Sequence, residues 1–214
     1  MKALTGDVRG KRVEILKRYS IGRIFCGHSF KPYEGELWGF DNGAFKDYLK
    51  GSSFNKDRYL KWLERALKMA QIQRPYLAVL PDIVGGGERS LELSLTYLHG
   101  ELKGVNLPWY LAVQDGMELQ TVEKILKENP QIVGLFLGGT DIFKATAPRW
   151  SSLAHSLGLK FHYARAGSVK KIRLARAAKA DSIDSALPLW SEDKFKRFLK
   201  AVNQTPISEL PLFQ

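Results

Sequence analysis

The chain of 214 residues is 44% hydrophobic and 26% charged, as expected for one globular domain, and its formal charge of +11 fits either a solvated basic surface or a nucleic-acid partner. The single cysteine, Cys26, excludes an internal disulfide and a zinc site built from several thiolates, and it favours a reducing compartment. The sequence has neither an apolar run long enough to span a bilayer nor the apolar core of a signal peptide, which predicts a cytoplasmic protein without a membrane partner.

Short apolar runs alternate with amphipathic stretches along the chain, a pattern typical of a parallel α/β fold. The first half predicts a helix over 11–19, strands over 22–26 and 37–40, a helix over 56–70 and a strand over 76–80. After a helix over 90–98, the pattern predicts strand–helix pairs at 109–113 with 119–128, 132–137 with 148–156, and 159–163 with 169–179. A strand-like segment within 179–188 is followed by a helix over 192–202.

This order of elements favours a compact (β/α)8 TIM barrel over an open sheet, because no Gly-rich dinucleotide fingerprint follows the first strand. Seven strands are visible in the pattern, and residues 1–4 are the candidate for the eighth. An open doubly wound sheet is the alternative architecture. We expect residues 1–204 to form a single barrel domain and residues 205–214, with two prolines, to form an irregular tail.

Polar residues follow most of the predicted strands. They are Asp41-Asn42-Gly43, Asp82, Gln114-Asp115-Gly116, Gly138-Gly139-Thr140, Arg165 and Asp184. Taken singly, each has an ordinary structural explanation; Asp41, for example, suits the N-cap of a short helix, and a histidine such as His162 is usual in a core. In a barrel, however, the carboxyl ends of the strands meet at one face, so together these residues predict a single polar pocket.

Two aspartates, Asp181 and Asp184, lie three residues apart in the last strand-like segment. Side chains alternate along a strand, so only one of them can face the barrel interior from the strand itself. A carboxylate at the carboxyl end of a strand is a common position for catalysis in α/β enzymes. The four histidines show no ligand spacing, and the sequence predicts no metal site.

Six ordered segments carry a family resemblance. They are Trp38-Gly-Phe-Asp41-Asn-Gly-Ala-Phe45, Leu80-Pro-Asp82-Ile-Val, Ala112-Val-Gln114-Asp-Gly116, Gly134-Leu-Phe-Leu-Gly138-Gly139-Thr140, His162-Tyr-Ala-Arg165-Ala-Gly-Ser168 and Asp181-Ser-Ile-Asp184-Ser-Ala. In this order they resemble the tRNA-guanine transglycosylase superfamily and, within it, the compact phage and bacterial branch that inserts 7-deazaguanines into DNA. The resemblance extends from about Leu37 to Leu189.

The resemblance implies a base exchange with a free deazapurine, such as 7-cyano-7-deazaguanine, as co-substrate. Asp184 stands at the position of the nucleophile that forms a covalent glycosyl–enzyme intermediate, and Asp41 at that of the general acid/base. Asp82 would accept hydrogen bonds from the donor edge of the guanine-like base. Gln114 and the backbone of Gly138 and Gly139 would contact the carbonyl side of that base.

The basic residues expected to contact backbone phosphates are Arg165, Lys144, Lys170 and Lys171. His162 is expected to support the site, and Asp181 to be a structural residue that faces away from it. The tRNA enzymes of the superfamily carry a zinc-binding insertion of cysteines and a histidine after the nucleophile, whereas no residue after Asp184 is Cys or His. We therefore expect no zinc and favour DNA over tRNA as the polynucleotide.

Three alternatives remain at this point. The same exchange could act on tRNA, water could replace the incoming base in a hydrolytic N-glycosidase, or the barrel could bind nucleic acid without catalysing a reaction.

Overall fold

The computed structural model describes residues 1–27 and 31–203, so the irregular tail predicted over 205–214 lies outside the described residues. Eight strands occur in these ranges. They are β1 (Lys2–Gly6), β2 (Gly22–Phe25), β3 (Trp38–Phe40), β4 (Leu77–Val79), β5 (Trp109–Val113), β6 (Ile132–Leu137), β7 (Lys160–Tyr163) and β8 (Ser182–Asp184).

The strands form a closed parallel barrel in which each strand pairs with the next and β8 pairs with β1. The (β/α)8 prediction is therefore confirmed, and the alternative of an open doubly wound sheet is wrong. The eighth strand, β1, lies where the sequence placed its candidate but extends to Gly6. Leu4 is the register partner of Gly22 on one side and of Asp184 on the other, and these pairings close the barrel.

Ten helices surround the barrel in the described ranges. They are α1 (Lys11–Arg18), α2 (Ala44–Leu49), α3 (Lys56–Ile72), α4 (Glu88–His99), α5 (Leu119–Glu128), α6 (Asp141–Lys144), α7 (Ala147–Ser156), α8 (Val169–Ala177), α9 (Leu187–Trp190) and α10 (Glu192–Asn203). None of these helices has both the length and the apolar character needed to cross a membrane. The barrel is irregular after β2, because the described residues between Phe25 and Trp38 form no helix.

Alternation along the strands divides the apolar residues between two cores. Outward-facing side chains such as Trp109 and Leu111 belong to the large core between the strands and the helices. Inward-facing Tyr110 and Ala112 belong to a smaller cluster inside the barrel. Gly134 makes room for this cluster, since a Cβ atom there would lie 2.4 Å from the Tyr110 ring. The interior is thus filled with apolar side chains in one layer, as is usual for this fold, and polar side chains lie closer to the carboxyl ends of the strands.

Candidate active site

A cavity of about 900 Å³ opens at the carboxyl ends of the strands, and we call it the primary cavity. Its lining includes seven residues that the sequence predicted for the site, namely Asp41, Asp82, Gln114, Gly138, Gly139, Arg165 and Asp184. The polar strand ends therefore do surround a single pocket, because the closed barrel brings segments distant in sequence to the same face.

Asp184 is the last residue of β8, and one of its carboxylate oxygens is held by two donors. Oδ1 lies 3.0 Å from Nε2 of His162 and accepts a hydrogen bond of 3.0 Å from the backbone N–H of Arg165. Because a carboxylate only accepts, His162 donates from Nε2, and its Nδ1 lies 2.8 Å from the Ser182 hydroxyl. The His162 ring is stacked on Phe136, with centroids 4.8 Å apart. These contacts fix the orientation of the carboxylate.

The environment of Asp184 favours its ionised form. Burial alone would raise its pKa, but hydrogen bonding and electrostatic attraction to His162, the N–H of Arg165 and the charge of Lys144 outweigh burial. The pKa of Asp184 is therefore lowered. An ionised carboxylate held in a fixed orientation is suited to nucleophilic attack.

Asp41 follows β3 and has the opposite electrostatic character. Burial raises its pKa, and the nearby charge of Asp184 adds to this effect, although the N–H of Gly43 opposes it with a hydrogen bond of 3.2 Å to Oδ1. Two carboxyl groups in one cavity thus have pKa values displaced in opposite directions, which is how enzymes assign acid and base roles to a pair of carboxyl groups. Asp41 is not the N-cap of α2, because Gly43 occupies that position.

Asp82 lines the same cavity and is oriented by Asn42. The buried Asn42 side chain donates from Nδ2 to Oδ1 of Asp82 at 2.7 Å and to the carbonyl of Leu80 at 2.5 Å, while its Oδ1 accepts from the N–H of Ala44 at 2.8 Å. Burial raises the pKa of Asp82 to about 7, against the Asn42 hydrogen bond that lowers it. Asn42 was not assigned a role from the sequence, where the only signal was its place between Asp41 and a turn glycine.

The structure gives Gln114 a different role from the predicted base contact. Its Nε2 donates to the carbonyl of Ile83 at 2.7 Å and to Oγ of Ser90 at 2.9 Å, and its Oε1 accepts from the N–H of Gly85 at 2.6 Å. Both amide protons are thus used in holding the loop after β4. In this conformation Gln114 supports the wall of the cavity, and it has no amide proton left for a base.

Gly138 and Gly139 lie at the cavity wall, as expected, but their backbone is partly engaged. The N–H of Gly138 donates to the carbonyl of Val113 at 2.8 Å, so it is not available to a base. The carbonyl of Gly139 accepts from the Arg165 guanidinium at 3.2 Å. Gly139 has a φ of +80°, and a Cβ atom there would lie 2.5 Å from Oδ2 of Asp115, so this position requires glycine.

The predicted phosphate-binding residues occupy different environments. The guanidinium of Arg165 lies over the Phe45 ring at 4.1 Å from its centroid, at the wall of the primary cavity. Lys170 is exposed on α8 and lines neither this cavity nor the one beside it. Lys171 forms an ion pair of 2.6 Å with Asp141.

Lys144, which was also predicted to contact a backbone phosphate, is buried and does not lie on the open surface of the protein. It is only 2% exposed, and its ammonium donates to the carbonyl of Ala164 at 2.6 Å. Burial and, after it, the charge of Arg165 lower its pKa to about 8, whereas the charge of Asp184 opposes this decrease. It lies in the wall of a second cavity, of about 360 Å³, which is also lined by Arg165 and Lys171.

Asp181 lies away from both cavities, as alternation along the strand predicted. It precedes β8 and accepts hydrogen bonds from Nε2 of His155 at 2.9 Å, from Nζ of Lys160 at 3.0 Å and from the N–H of Phe161 at 2.9 Å. These contacts link β8 to α7 and β7. Asp181 is therefore a structural residue.

Two further observations bear on the chemistry of the site. Cys26 lines the primary cavity, but burial and the nearby Asp41 carboxylate raise the pKa of its thiol to about 12, so it is a poor nucleophile near neutral pH. Within residues 1–27 and 31–203, no three His, Cys, Asp or Glu side chains are grouped so that they could hold a metal ion.

No protein family and no curated protein matches the chain. Among solved structures, the chain is similar to a dihydrodipicolinate synthase family protein from Coccidioides immitis, with 10% sequence identity and a TM-score of 0.48. The match covers 81% of this chain and 57% of the other, so the chain spans little more than half the length of that neighbour. The closed parallel barrel is shown by the strand pairing itself.

Proposed function

We propose that this barrel is a base-exchange transglycosylase that replaces guanine in DNA with a 7-deazaguanine, such as 7-cyano-7-deazaguanine. The observation that carries the proposal is the carboxyl pair in the primary cavity. The pKa of Asp184 is lowered and that of Asp41 is raised, which matches a nucleophile and a general acid in double displacement at an anomeric carbon.

In the first half-reaction, Asp184 attacks C1′ of the target deoxyguanosine. The C1′–N9 bond breaks, an ester bond forms between C1′ and the carboxylate, and guanine leaves with the electron pair. Asp41, whose raised pKa favours the protonated form, supplies the proton that neutralises the departing base.

In the second half-reaction, a free 7-deazaguanine replaces guanine in the cavity. Asp41, now ionised, takes the proton from the ring nitrogen that will join the sugar, and this nitrogen attacks C1′. The ester bond breaks, and Asp184 is regenerated as a carboxylate. No oxidant or metal ion is needed for the balance of the reaction.

Recognition of the base is assigned chiefly to Asp82. When ionised, its carboxylate accepts from the adjacent N–H donors of a guanine-type base, whereas adenine presents a different donor pattern at that edge. Asn42 holds Oδ1 of Asp82 at 2.7 Å and so fixes the carboxylate toward one orientation. Apolar side chains in the same cavity, including Val79 and Phe136, provide surfaces for a flat ring.

DNA is favoured over tRNA by the resemblance to the compact branch. The formal charge of +11 supports a polyanionic partner of either kind. If the substrate is duplex DNA, the target nucleotide must leave the stack, at a cost of a few kcal/mol.

The proposal is tested by incubating the protein with DNA that carries labelled guanine, in the presence and absence of 7-cyano-7-deazaguanine. We expect repeated release of label only when the deazapurine is supplied, with the deazapurine appearing in the polymer, whereas without it the release should stop at the amount that forms the covalent intermediate. Label that stays in bound DNA whatever base is added would overturn the proposal. Abasic product without added base would identify a hydrolytic N-glycosidase, and a parallel reaction with tRNA would identify the tRNA alternative.

A further inference from the structure

The second cavity adjoins the primary cavity at the mouth of the barrel. The two share four lining residues, namely Phe45, Val84, Gly139 and Arg165. A chain that placed one nucleotide in the primary cavity would therefore bring a covalently linked neighbour to the second. The volume of about 360 Å³ lies within the range of small-molecule sites.

One wall of the second cavity is a stack of flat groups. The Arg165 guanidinium lies 4.1 Å from the Phe45 centroid, and the Phe45 ring is stacked on Tyr48, with centroids 6.2 Å apart and an angle of 22°. Tyr48 is the outermost group of this stack and is 58% exposed. An exposed aromatic ring that is already supported by a second ring is a suitable platform for a nucleobase.

Cations lie in the same cavity. Lys144 is nearly fully buried in its wall, yet in the described part of the chain its ammonium donates to one acceptor, the carbonyl of Ala164, although it has three N–H donors. Arg165 and Lys171 also line the cavity. A buried ammonium with unused donors points to an anionic ligand.

The acidic residues of the cavity do not cancel this charge. Its lining holds two carboxylates, Asp115 and Asp141. Asp115 accepts from the N–H and the hydroxyl of Thr140 at 2.7 and 2.6 Å, and Asp141 is paired with Lys171. The lining therefore holds three cationic side chains against two carboxylates and keeps a net positive charge, and in the described residues the only one of the three cations that forms a close ion pair is Lys171.

We propose that the second cavity binds the nucleotide next to the target nucleotide in the same strand. Its base stacks on Tyr48, and its phosphate contacts Lys144, Arg165 and Lys171. The assignment of the neighbour rests on the proposed function, because that function places the target base in the primary cavity. An aromatic platform and a cationic wall in one cavity match the two parts of a nucleotide, a base and a phosphate.

The base-stacking half is tested by binding, which does not require turnover. The probe is a short single-stranded DNA with one guanine, labelled for fluorescence anisotropy. We expect Tyr48→Ala to weaken binding about tenfold and Tyr48→Phe to bind as the unmodified protein does, because the phenyl ring preserves stacking. Ile72→Ala is the control, since Ile72 is 91% exposed and ends α3 at the opposite face of the barrel, and it should not change the affinity.

A thermodynamic cycle that combines the Tyr48→Ala variant with the removal of one DNA base shows which nucleotide occupies the second cavity. Removing the base on the 5′ or on the 3′ side of the guanine should weaken binding to the unmodified protein about tenfold for one of the two sides. On that side, the same removal should not weaken binding to the Tyr48→Ala variant further. If the two changes weaken binding independently on both sides, Tyr48 does not contact a neighbouring base and the proposal is wrong.

The phosphate half is tested in the same way with a neutral methylphosphonate linkage beside the target nucleotide. Lys171→Gln and the neutral linkage should each weaken binding, and their combination should weaken it less than the product of the two effects. Independent effects would remove this contact from the proposal. Coupling in both cycles without base exchange would refute the proposed function but support the nucleotide site. Base exchange without coupling would support the proposed function and refute the nucleotide site.

Discussion

Nε2 of His162 lies 3.0 Å from Oδ1 of Asp184, and the His162 side chain is fully buried. The two residues belong to neighbouring strands, β7 and β8, and both face the barrel interior. The register that pairs His162 with Ser182 places the imidazole beside both polar side chains of β8. The nucleophile proposed above is therefore held by the pairing of β7 with β8, together with the backbone N–H of Arg165 in the loop after β7.

Replacing His162 should change the pH dependence of the exchange. In His162→Phe, Asp184 loses its side-chain donor, so its pKa should rise and the acidic limb of the kcat/KM profile should move to higher pH. His162→Gln keeps a donor and should shift the limb less. An unchanged profile in His162→Phe would show that this hydrogen bond does not set the ionisation of the nucleophile.

Asp184→Asn should abolish the covalent DNA adduct and lower the exchange rate by about 10⁴-fold or more, because the amide cannot attack C1′. The adduct is measured on a denaturing gel after rapid quenching. Asp181→Asn is the matched control, since Asp181 lies in the same segment but bonds to His155, Lys160 and Phe161 outside the cavity. It should reduce stability and leave adduct formation intact; an equal loss of adduct in both variants would contradict the assignment.

Asn42→Ala should impair the binding of the free base more than the chemical step. Without Asn42, Oδ1 of Asp82 loses a donor at 2.7 Å, so the carboxylate is no longer fixed and its pKa should rise further. We expect the KM for the deazapurine to rise about tenfold, because this is the size of effect expected when one hydrogen bond to a charged group is lost. The change in kcat should be smaller. A fall in kcat with an unchanged KM would instead place Asn42 in the chemical step.

Stability should depend on pH through Asp82. Its pKa in the folded protein, about 7, is above the ordinary value for aspartate. As pH rises, the unfolded chain therefore loses this proton before the folded protein does. The contribution of Asp82 to the free energy of unfolding consequently falls between about pH 4 and pH 7. Asp82→Asn should remove this decrease and raise the free energy of unfolding at pH 8 by on the order of 1–3 kcal/mol, with little gain at pH 4. Urea denaturation at both pH values provides the measurement. A gain that is equal at pH 4 and pH 8 would contradict the linkage.

Gly139→Ala should destabilise the fold more than Gly104→Ala. Both glycines have a left-handed φ, +80° and +78°, but a Cβ at Gly139 meets Oδ2 of Asp115 at 2.5 Å, whereas nothing lies within 4 Å at Gly104. The cost of a left-handed φ for alanine, about 1 kcal/mol, is common to both variants, so the difference between their free energies of unfolding reports the close approach of the Cβ to Asp115 and, at 3.0 Å, to Phe143. We expect a further loss of about 1–2 kcal/mol for Gly139→Ala in urea denaturation. Equal losses would show that Asp115 moves aside freely.

The barrel and the grouping of its polar residues could be predicted from the sequence, because both follow from the spacing of the apolar runs and from the order of the predicted strands and helices. Apolar runs at strand length mark the strands, and a closed parallel barrel brings their carboxyl ends together. Alternation alone also separates Asp181 from Asp184.

Hydrogen-bond partners could not be predicted, because they depend on side-chain positions that no motif encodes. Gln114 was expected to contact a base, but its amide holds the loop after β4. Lys144 was expected to contact a backbone phosphate, but the sequence did not show that the short α6 turns its side chain inward, toward the carbonyl of Ala164. The role of Asn42 depends on the distance between the ends of β3 and β4, which pair in the sheet.

The pairing of β8 with β1 has a consequence for the order in which the protein assembles. Leu4 and Asp184 are register partners, so the strand that presents the nucleophile gains its second neighbour from the opposite end of the chain. During synthesis, Asp41 and Asp82 emerge long before Asp184, and the carboxyl pair exists only once the first and last strands have met. A chain truncated before β8 would therefore lack the proposed nucleophile, and completion of the site requires a contact between residues far apart in sequence, a kind of contact that forms more slowly than local ones.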